Sequence, residues 1–288
     1  MKIHIIGDQR SKRFDEDLVN QVNAEVEAQT KREELEKRKA ELLEKSKPQT
    51  EAQNPQPTEK PRPIPLLETL ANIKEEDYIW LPLPKTEYTL DHINPKLGDG
   101  IAVAKQKQHH GKNWYQAHAE LHQSGLSMLR IDEFIHFLNL LRSDVVYDLA
   151  GNRISKGELR SIYDEITQNK DPVRSELLDA DFKIYNQRLH LNTNHRTNNN
   201  NKLEPRTIRE LEACITEDCH VDLLGSANSQ GLPTKRTNSG VFHFYHPRSD
   251  NNSVAWFGAY AGGAELICNG DPDGTYAALA VRPSIKQK

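Results

Sequence analysis

No apolar run in this chain approaches the roughly 20 residues that a membrane helix needs. The opening Met1-Lys2-Ile3-His4-Ile5-Ile6 is interrupted at Gly7-Asp8, too soon for the apolar core of a secretory signal. Cysteine is scarce: 3 in 288 residues, an odd number that builds no disulfide framework. These absences lead us to expect a reduced, cytoplasmic protein without membrane insertion, and they leave open delivery to a cell surface or virion by another route. Neither charge dominates, since 38 Lys and Arg stand against 42 Asp and Glu, a net charge of −4. That balance argues against a generally basic nucleic-acid coat, and no nucleic-acid partner is expected. A Gly-rich phosphate loop, a nucleophile elbow and an HExxH pair are all missing. Apolar residues make up only 36% of the chain and charged ones 28%. Such a chain is too polar to be a compact globule throughout, so part of it should be solvated helix or linker.

What is present divides the chain into segments. Residues 2–6 alternate and are β-branched, the pattern of a short strand. Residues 15–45 are rich in Glu, Lys, Arg, Ala and Leu without Gly or Pro, which favours helix. Leu18, Val22 and Val26 form one short stripe there and Ala28, Leu35 and Leu42 another, with Gln29, Arg32 and Lys39 interrupting a full heptad seam. A solvated single helix and a self-associating stalk both fit. Residues 47–65 hold Pro48, Pro55, Pro57, Pro61, Pro63 and Pro65 among Gln, Thr and Glu, the composition of an extended linker. The expected organisation is therefore 1–46 strand plus charged helix, 47–65 linker and 66–288 folded domain.

Within that domain the periodicity predicts a short helix at 66–73 and a strand at 78–81 stopped by Pro82 and Pro84. A helix over 114–122 follows, capped by Asn113 and ended by Gly125. Asp132 is expected to cap a second helix whose buried stripe is Phe134, Phe137, Leu138 and Leu141. Ser155 and Glu158 form a capping-box pattern before a third, with Leu159, Ile162 and Ile166 inward. Residues 182–185 and 189–191 read as a hairpin turning at Asn186-Gln187. Pro205 suits the first position of a further helix with Ile208, Leu211 and Ile215 on its face. From Val221 onward short apolar pieces alternate with Gly, Pro, Asn and Ser, a turn-rich β region.

The chemistry-bearing residues form no catalytic constellation. Cys214, Cys219 and His220 lack the spacing of a zinc knuckle and read as structural thiols beside a histidine. His109-His110-Gly111 reads as an exposed loop. Asp271-Pro272-Asp273-Gly274 begins like a calcium loop, but position 12 would be Arg282 rather than a bidentate Glu, so a turn is expected. No metal and no cofactor is expected. Residues 253–282 stand apart, combining aromatic, Gly, Asn and Asp positions with small Ala spacers. Leu266 and Cys268 should point inward there. Tyr, Ser, Gly and Asn are residue types that binding surfaces favour, Tyr for its large contact area at low entropy cost.

The run Trp114-Tyr115, Ala117, Ala119, Gly125-Leu126, Met128, Glu133-Phe134 and Phe137-Leu138 resembles the two-helix opening of C-type-lectin-like domains of the formylglycine-generating-enzyme type. The ending Leu279-Ala280-Val281-Arg282 is similar to the closing strand of that fold. With that ending, Gly231-Leu232-Pro233-Thr234 and Asn251-Asn252-Ser253-Val254-Ala255 resemble archaeal hypothetical proteins, and residues 253–282 resemble the variable region of diversity-generating-retroelement target proteins. The implied fold is α+β: a C-type-lectin-like domain of two packed helices and an irregular antiparallel β region, preceded by the long charged helix and Pro-rich linker. The implied function is display of a diversified ligand-binding surface toward a protein or cell-surface ligand, with self-association through the N-terminal helix as a further option.

In such systems adenines of a template are miscopied. An Asn codon can then become most residue types but not Lys, Glu, Gln, Met or Trp. The resemblance implies a variable surface of Trp256, Gly258, Tyr260, Gly262, Gly263, Glu265, Ile267, Asn269, Gly270, Asp271, Asp273, Thr275 and Tyr276. All are reachable from an Asn codon except Trp256 and Glu265, which need Arg and Lys precursors. Phe257, Ala259, Ala264, Leu266, Pro272, Leu279 and Val281 would be the fixed scaffold. The enzymatic branch of the family relies on a pair of C-terminal cysteines; this tail has only Cys268, so oxidase activity is not expected. A non-diversified structural or virion-associated protein of the same fold is the alternative, with an enzyme of the formylglycine-generating type ranked after it.

Overall fold

The computed structural model describes residues 73–83, 100–169, 175–198, 200–238 and 242–286. The chain divides into two units, Met1–Glu59 and Lys60–Lys288. Every described residue belongs to the second. The expected strand, charged helix and linker of residues 1–65, and most of the expected helix at 66–73, lie outside the described residues.

The second unit is mixed α+β. Helix α1 (Trp114–Gln123) starts where the sequence predicts, because Asn113 and Gln116 close a reciprocal capping box. It buries Trp114, Ala117, His118 and Leu121. Gly125, at φ +70°, takes the left-handed turn beyond it. Helix α2 (Ile131–Leu141) buries Phe134, Phe137, Leu138 and Leu141 as expected. Its cap is a correction: the helix begins one residue before Asp132, with Arg130 extended at the cap position. Glu133 accepts from the Arg130 N–H at 2.8 Å, and Asp132 instead accepts from the Arg130 guanidinium at 2.9 Å. Both acids complement the positive end of the helix dipole, so the acidic signal was real but its register was off by two residues. Helix α3 (Lys156–Thr167) is capped by Ser155, whose Oγ accepts from Glu158 N at 3.2 Å, and it buries Leu159, Ile162 and Ile166.

Strands β1 (Tyr78–Pro82) and β2 (Gly100–Ala104) form a small antiparallel sheet with β13 (Ser284–Ile285), which joins the two ends of the described chain. The large sheet has the order β7-β4-β3-β10-β11-β9-β8. Its members are β3 (Ser175–Tyr185), β4 (Arg188–Thr193), β7 (Thr207–Glu210), β8 (Cys219–Val221), β9 (Phe242–Tyr245), β10 (Ser253–Tyr260) and β11 (Gly263–Gly270). β12 (Leu279–Ala280) pairs with β3. A two-stranded ribbon of β5 (Arg196–Thr197) and β6 (Leu203–Glu204) lies against α1. The predicted hairpin is present: β3 and β4 turn at Asn186 and Gln187, with φ 50° and 64°, the left-handed pair that suits a two-residue turn.

The predicted helix after Pro205 is overturned. Thr207–Glu210 is an edge strand paired with β4, and Ile208 is 53% exposed. Ile208, Leu211 and Ile215 imitate a helical stripe, but β-branched Thr207 and Ile208 sit well in a pleated strand.

The two faces of the large sheet carry different cores. One face meets α2 and α3: Leu178, Phe182, Phe257, Leu266, Cys268, Phe242 and Phe244 share a cluster with Phe134, Phe137, Leu138, Leu159 and Ile162. The other face, at Leu177 and Val254, joins Trp114, Ala117 and Leu121 of α1 with Leu279, Val281 and Ile285. Arg282 locks the C-terminal segment to β3. Its guanidinium grips both oxygens of the buried Glu176, at 2.8 and 3.0 Å.

Candidate functional site

The register of β10 against β11 sorts residues 256–267 by facing. Phe257 pairs with Leu266 and Ala259 with Ala264; all are buried, and Phe257, Ala264 and Leu266 belong to the α2/α3 core. Trp256 pairs with Ile267, Gly258 with Glu265 and Tyr260 with Gly263 on the opposite side, as the period of 2 requires. Each residue expected to be fixed scaffold is buried: Phe257, Ala259, Ala264, Leu266, Pro272, Leu279 and Val281.

The residues expected to form a variable surface divide into groups. Gly262, Asp271, Asp273, Thr275 and Tyr276 are exposed, while Trp256, Tyr260, Gly263, Glu265 and Asn269 are half-buried. Gly258, Ile267 and Gly270 are buried and do not belong to an exposed face, a correction with a steric cause. A Cβ on Gly270 would fall inside the Trp256 ring, and one on Gly258 would meet Ser175 Oγ and the Tyr260 ring. Ile267 lies in register between Trp256 of β10 and Tyr245 of β9.

Neighbouring strands extend the open part of this face. β9 runs parallel to β11, setting His243 beside Glu265 and Tyr245 beside Ile267, and β8 sets His220 opposite His243. The rings form a run: His220 to His243 at 5.0 Å between centroids, His243 to Tyr245 at 4.6 Å. Partial burial, then the charge of Glu265, raises the Tyr245 pKa; partial burial, then His220, lowers that of His243. The Glu265 carboxyl is raised by burial. Tyr260 is anchored, its hydroxyl 2.9 Å from Ser175 Oγ. Sequence reading took His220 only with Cys214 and Cys219, and missed His243 and Tyr245. The alternation Phe242-His243-Phe244-Tyr245, two Phe inward and two polar rings outward, was the available signal.

The loop after β11 is the expected turn. Asp271 Oδ1 accepts from Asp273 N at 3.0 Å, and Asp271 O accepts from Gly274 N at 3.1 Å, so this carboxylate closes its own loop. Pro272 O accepts from Trp114 N at 3.1 Å, which holds the loop at the start of α1. Tyr115 lies in the field of Lys183, Asp181, Asp273 and Asp271, and its pKa is raised chiefly by burial. Beside it runs a groove of about 530 Å³, lined by Trp114, Tyr115, Tyr185, Asn192, His195 and Leu203 among others.

Cys214 and Cys219 are half-buried free thiols packed against the α2/α3 core. Burial raises the pKa of both. With His220 they do not converge as a donor set among the described residues. His109 is not a bare loop residue: its Nδ1 is 2.5 Å from Glu120 Oε2, while His110 is exposed. The donor group that does converge is His118, Asp179 and His195, all buried, with one ligand atom from each within 4.8 Å of the others. No sequence motif singled these three out. The spacing His118 to His122, four apart on one helix, was the visible part of the signal.

Comparison with known proteins found no match: no family model, no curated protein and no solved structure matches the chain.

Proposed function

We propose that the second unit is a C-type-lectin-like binding domain whose outward β10–β11 face and 271–276 loop are a diversified surface for a protein or cell-surface ligand. It acts as a binding protein rather than an enzyme. The observation that supports the reading is the interleaving at β10 and β11. Alternate residues are buried scaffold, and those between them are Tyr, Glu, Gly and Trp on the opposite side. Where the second face is left open by the α1 core, its residues can change without loss of the fold; Trp256, packed against that core, is held and is not among them. Tyr260, Tyr245 and Tyr276 are the aromatic anchors, and Glu265, Asp271 and Asp273 make the surface acidic.

The steric needs at Gly258 and Gly270 favour a second reading, a domain of this fold with a fixed surface. Sequencing the neighbouring genome separates the two. The first expects a reverse-transcriptase gene and a near-copy of the codons for residues 253–282 that differs only at adenines, with Gly258 and Gly270 kept. Substitution at all four bases among close relatives, with no such copy, overturns diversification.

A further inference from the structure

His118 sits at a core position of α1, in the same buried stripe as Trp114, Ala117 and Leu121, where a nonpolar residue would be ordinary. It is 1% exposed, and neither ring nitrogen has a hydrogen-bond partner. A buried imidazole with both nitrogens unpaired is costly, and native proteins rarely retain one without a use. The groups it faces are metal-ligand types. Asp179 Oδ1 lies 3.6 Å from His118 Nε2, and the His195 ring centroid lies 5.5 Å from that of His118.

The backbone is distorted to bring Asp179 there. Between the pairs Val254–Asp181 and Trp256–Leu177, the single residue Ala255 of β10 stands opposite Leu178, Asp179 and Ala180 of β3. Bulges re-aim side chains and recur beside functional sites. This one takes its hydrogen bonds from outside the ladder: Asp179 N donates to Leu129 O at 2.7 Å, and Trp114 Nε1 donates to Leu178 O at 2.8 Å. His195 follows Asn194, a non-glycine residue at φ 55°, and its N–H points at the Asp179 carboxylate, 3.3 Å from Oδ2. Its Nδ1 is 2.5 Å from Asp179 Oδ1. Two unusual backbone features thus converge on one carboxylate.

We propose that His118, Asp179 and His195 form a binding site for a divalent transition-metal ion of the zinc class. A tetrahedral ion with bonds of about 2.0–2.2 Å holds its ligand atoms roughly 3.3–3.6 Å apart, which matches the 3.6 Å between His118 Nε2 and Asp179 Oδ1. Two imidazoles and one carboxylate leave a fourth position open, as in sites that keep an exchangeable ligand. His195 lines the groove beside α1, which gives that position a route to solvent. Binding opens the short His195–Asp179 hydrogen bond and moves the His195 proton to the other ring nitrogen, freeing the lone pair. His122 faces the same region, with Nδ1 2.7 Å from Thr197 Oγ1 and an unpartnered Nε2, and supports the site from the second turn of the helix face. Two cations oppose the ion. Arg196 donates to Ser127 Oγ at 2.9 Å, and Lys286 is neutralised by Glu133 at 2.6 Å.

Titration calorimetry of the chelator-stripped full chain with zinc chloride, and the absorption spectrum with cobalt(II), test this. The expected result is one ion per chain, intense tetrahedral cobalt bands without a thiolate charge-transfer band, and a melting temperature raised by about 5–10 °C at a hundred-fold excess over Kd. Asp179→Asn, isosteric, and His118→Leu should each weaken binding at least 100-fold, with His118→Leu no less stable than the metal-free wild type. The double variant His220→Ala/His243→Ala should bind as the wild type does. X-ray absorption of the wild-type cobalt form needs no variant: imidazole and oxygen neighbours at about 2.0–2.2 Å support the site. Sulfur in the coordination shell, absence of binding, loss of binding in the His220/His243 variant, or unchanged affinity in a folded Asp179→Asn or His118→Leu chain overturns it.

Discussion

Substituting buried Phe257 and substituting exposed or half-buried residues of the same hairpin and the loop after it should have very unequal consequences. Phe257 is 1% exposed, with its ring 5.1 Å from Phe134 and 6.2 Å from Phe242 by centroid, so it bridges α2 and two strands. Phe257→Ala removes those contacts and leaves a cavity, a loss of roughly 3–5 kcal/mol. Leu266→Ala, at 0% exposure in the facing register, should cost about 2–5 kcal/mol. For a folded unit of this size each kcal/mol lowers the melting temperature by about 2–4 °C, so Phe257→Ala should melt roughly 6–20 °C early. Gly262→Ala, Glu265→Ala, Asp273→Ala and Tyr276→Ala should each stay within about 0.5 kcal/mol. Gly262 has room, the nearest atom to an added Cβ being 3.7 Å away, and Tyr276 is 56% exposed. Circular-dichroism melts and urea midpoints at fixed pH measure both sets. Similar losses in the two sets, or a Phe257→Ala loss under about 1 kcal/mol, would refute the sorting of this hairpin into core and surface, and the display reading with it.

Gly270→Ala should cost about 1–3 kcal/mol by forcing the Trp256 ring to move, and pairing it with Trp256→Ala should give less than additive loss in a double-mutant cycle. Ile208→Thr, on the exposed edge strand, should change stability by less than about 0.5 kcal/mol; a loss of 2 or more by urea titration would restore the helix with Ile208 on its buried face. Arg282→Met should cost about 3–5 kcal/mol, because Glu176 keeps its burial and loses its bidentate partner; a urea midpoint equal to wild type would count against that pair. Without metal, stability should fall as pH drops from 6.5 toward 4: burial lowers the folded-state pKa of His118 to about 3 and that of His122 to about 4, so the unfolded chain takes up their protons first. At pH 5 the loss is about 2 kcal/mol for each ring, and replacing both by Leu should flatten the profile between pH 7 and 5 in urea titrations.

The elements that sequence reading placed well are those whose signals are local. Asn113 and Ser155 cap helices with their own side chains, and the stripes of α2 and α3 repeat often enough to fix a face. The Asn186-Gln187 turn is equally local. Residues 205–215 went astray because three apolar positions at spacings of three and four fit a helix, and nothing nearby announces the edge of a sheet. Pairing of β7 with β4 is decided by strand partners many residues away, which propensity does not see.

The candidate surface was half legible for the same reason. Strict alternation at Phe257, Ala259, Ala264 and Leu266 could be read from the sequence, because a period of 2 needs no partner. The burial of Gly258, Ile267 and Gly270 could not, since it depends on where the Trp256 and Tyr260 rings come to rest. The His118 cluster lies further from local reading still. Its residues are spread from α1 to the link between β4 and β5, and they meet where Ala255 faces three residues of β3 instead of one. A straight β3 would keep the ladder at Leu178–Ala180. The main-chain N–H of Asp179 would then lose its bond to Leu129 O, which fixes the backbone from which the side chain is aimed toward α1. Such a bulge sacrifices ladder hydrogen bonds and survives only where other contacts hold it, here Trp114 and Leu129. A fold under pressure only to be a stable scaffold would place a Leu at position 118 and a regular strand beneath it. Retaining a histidine with both nitrogens unpaired, above a carboxylate aimed by a bulge, fits a fold that gave up stability there to hold something.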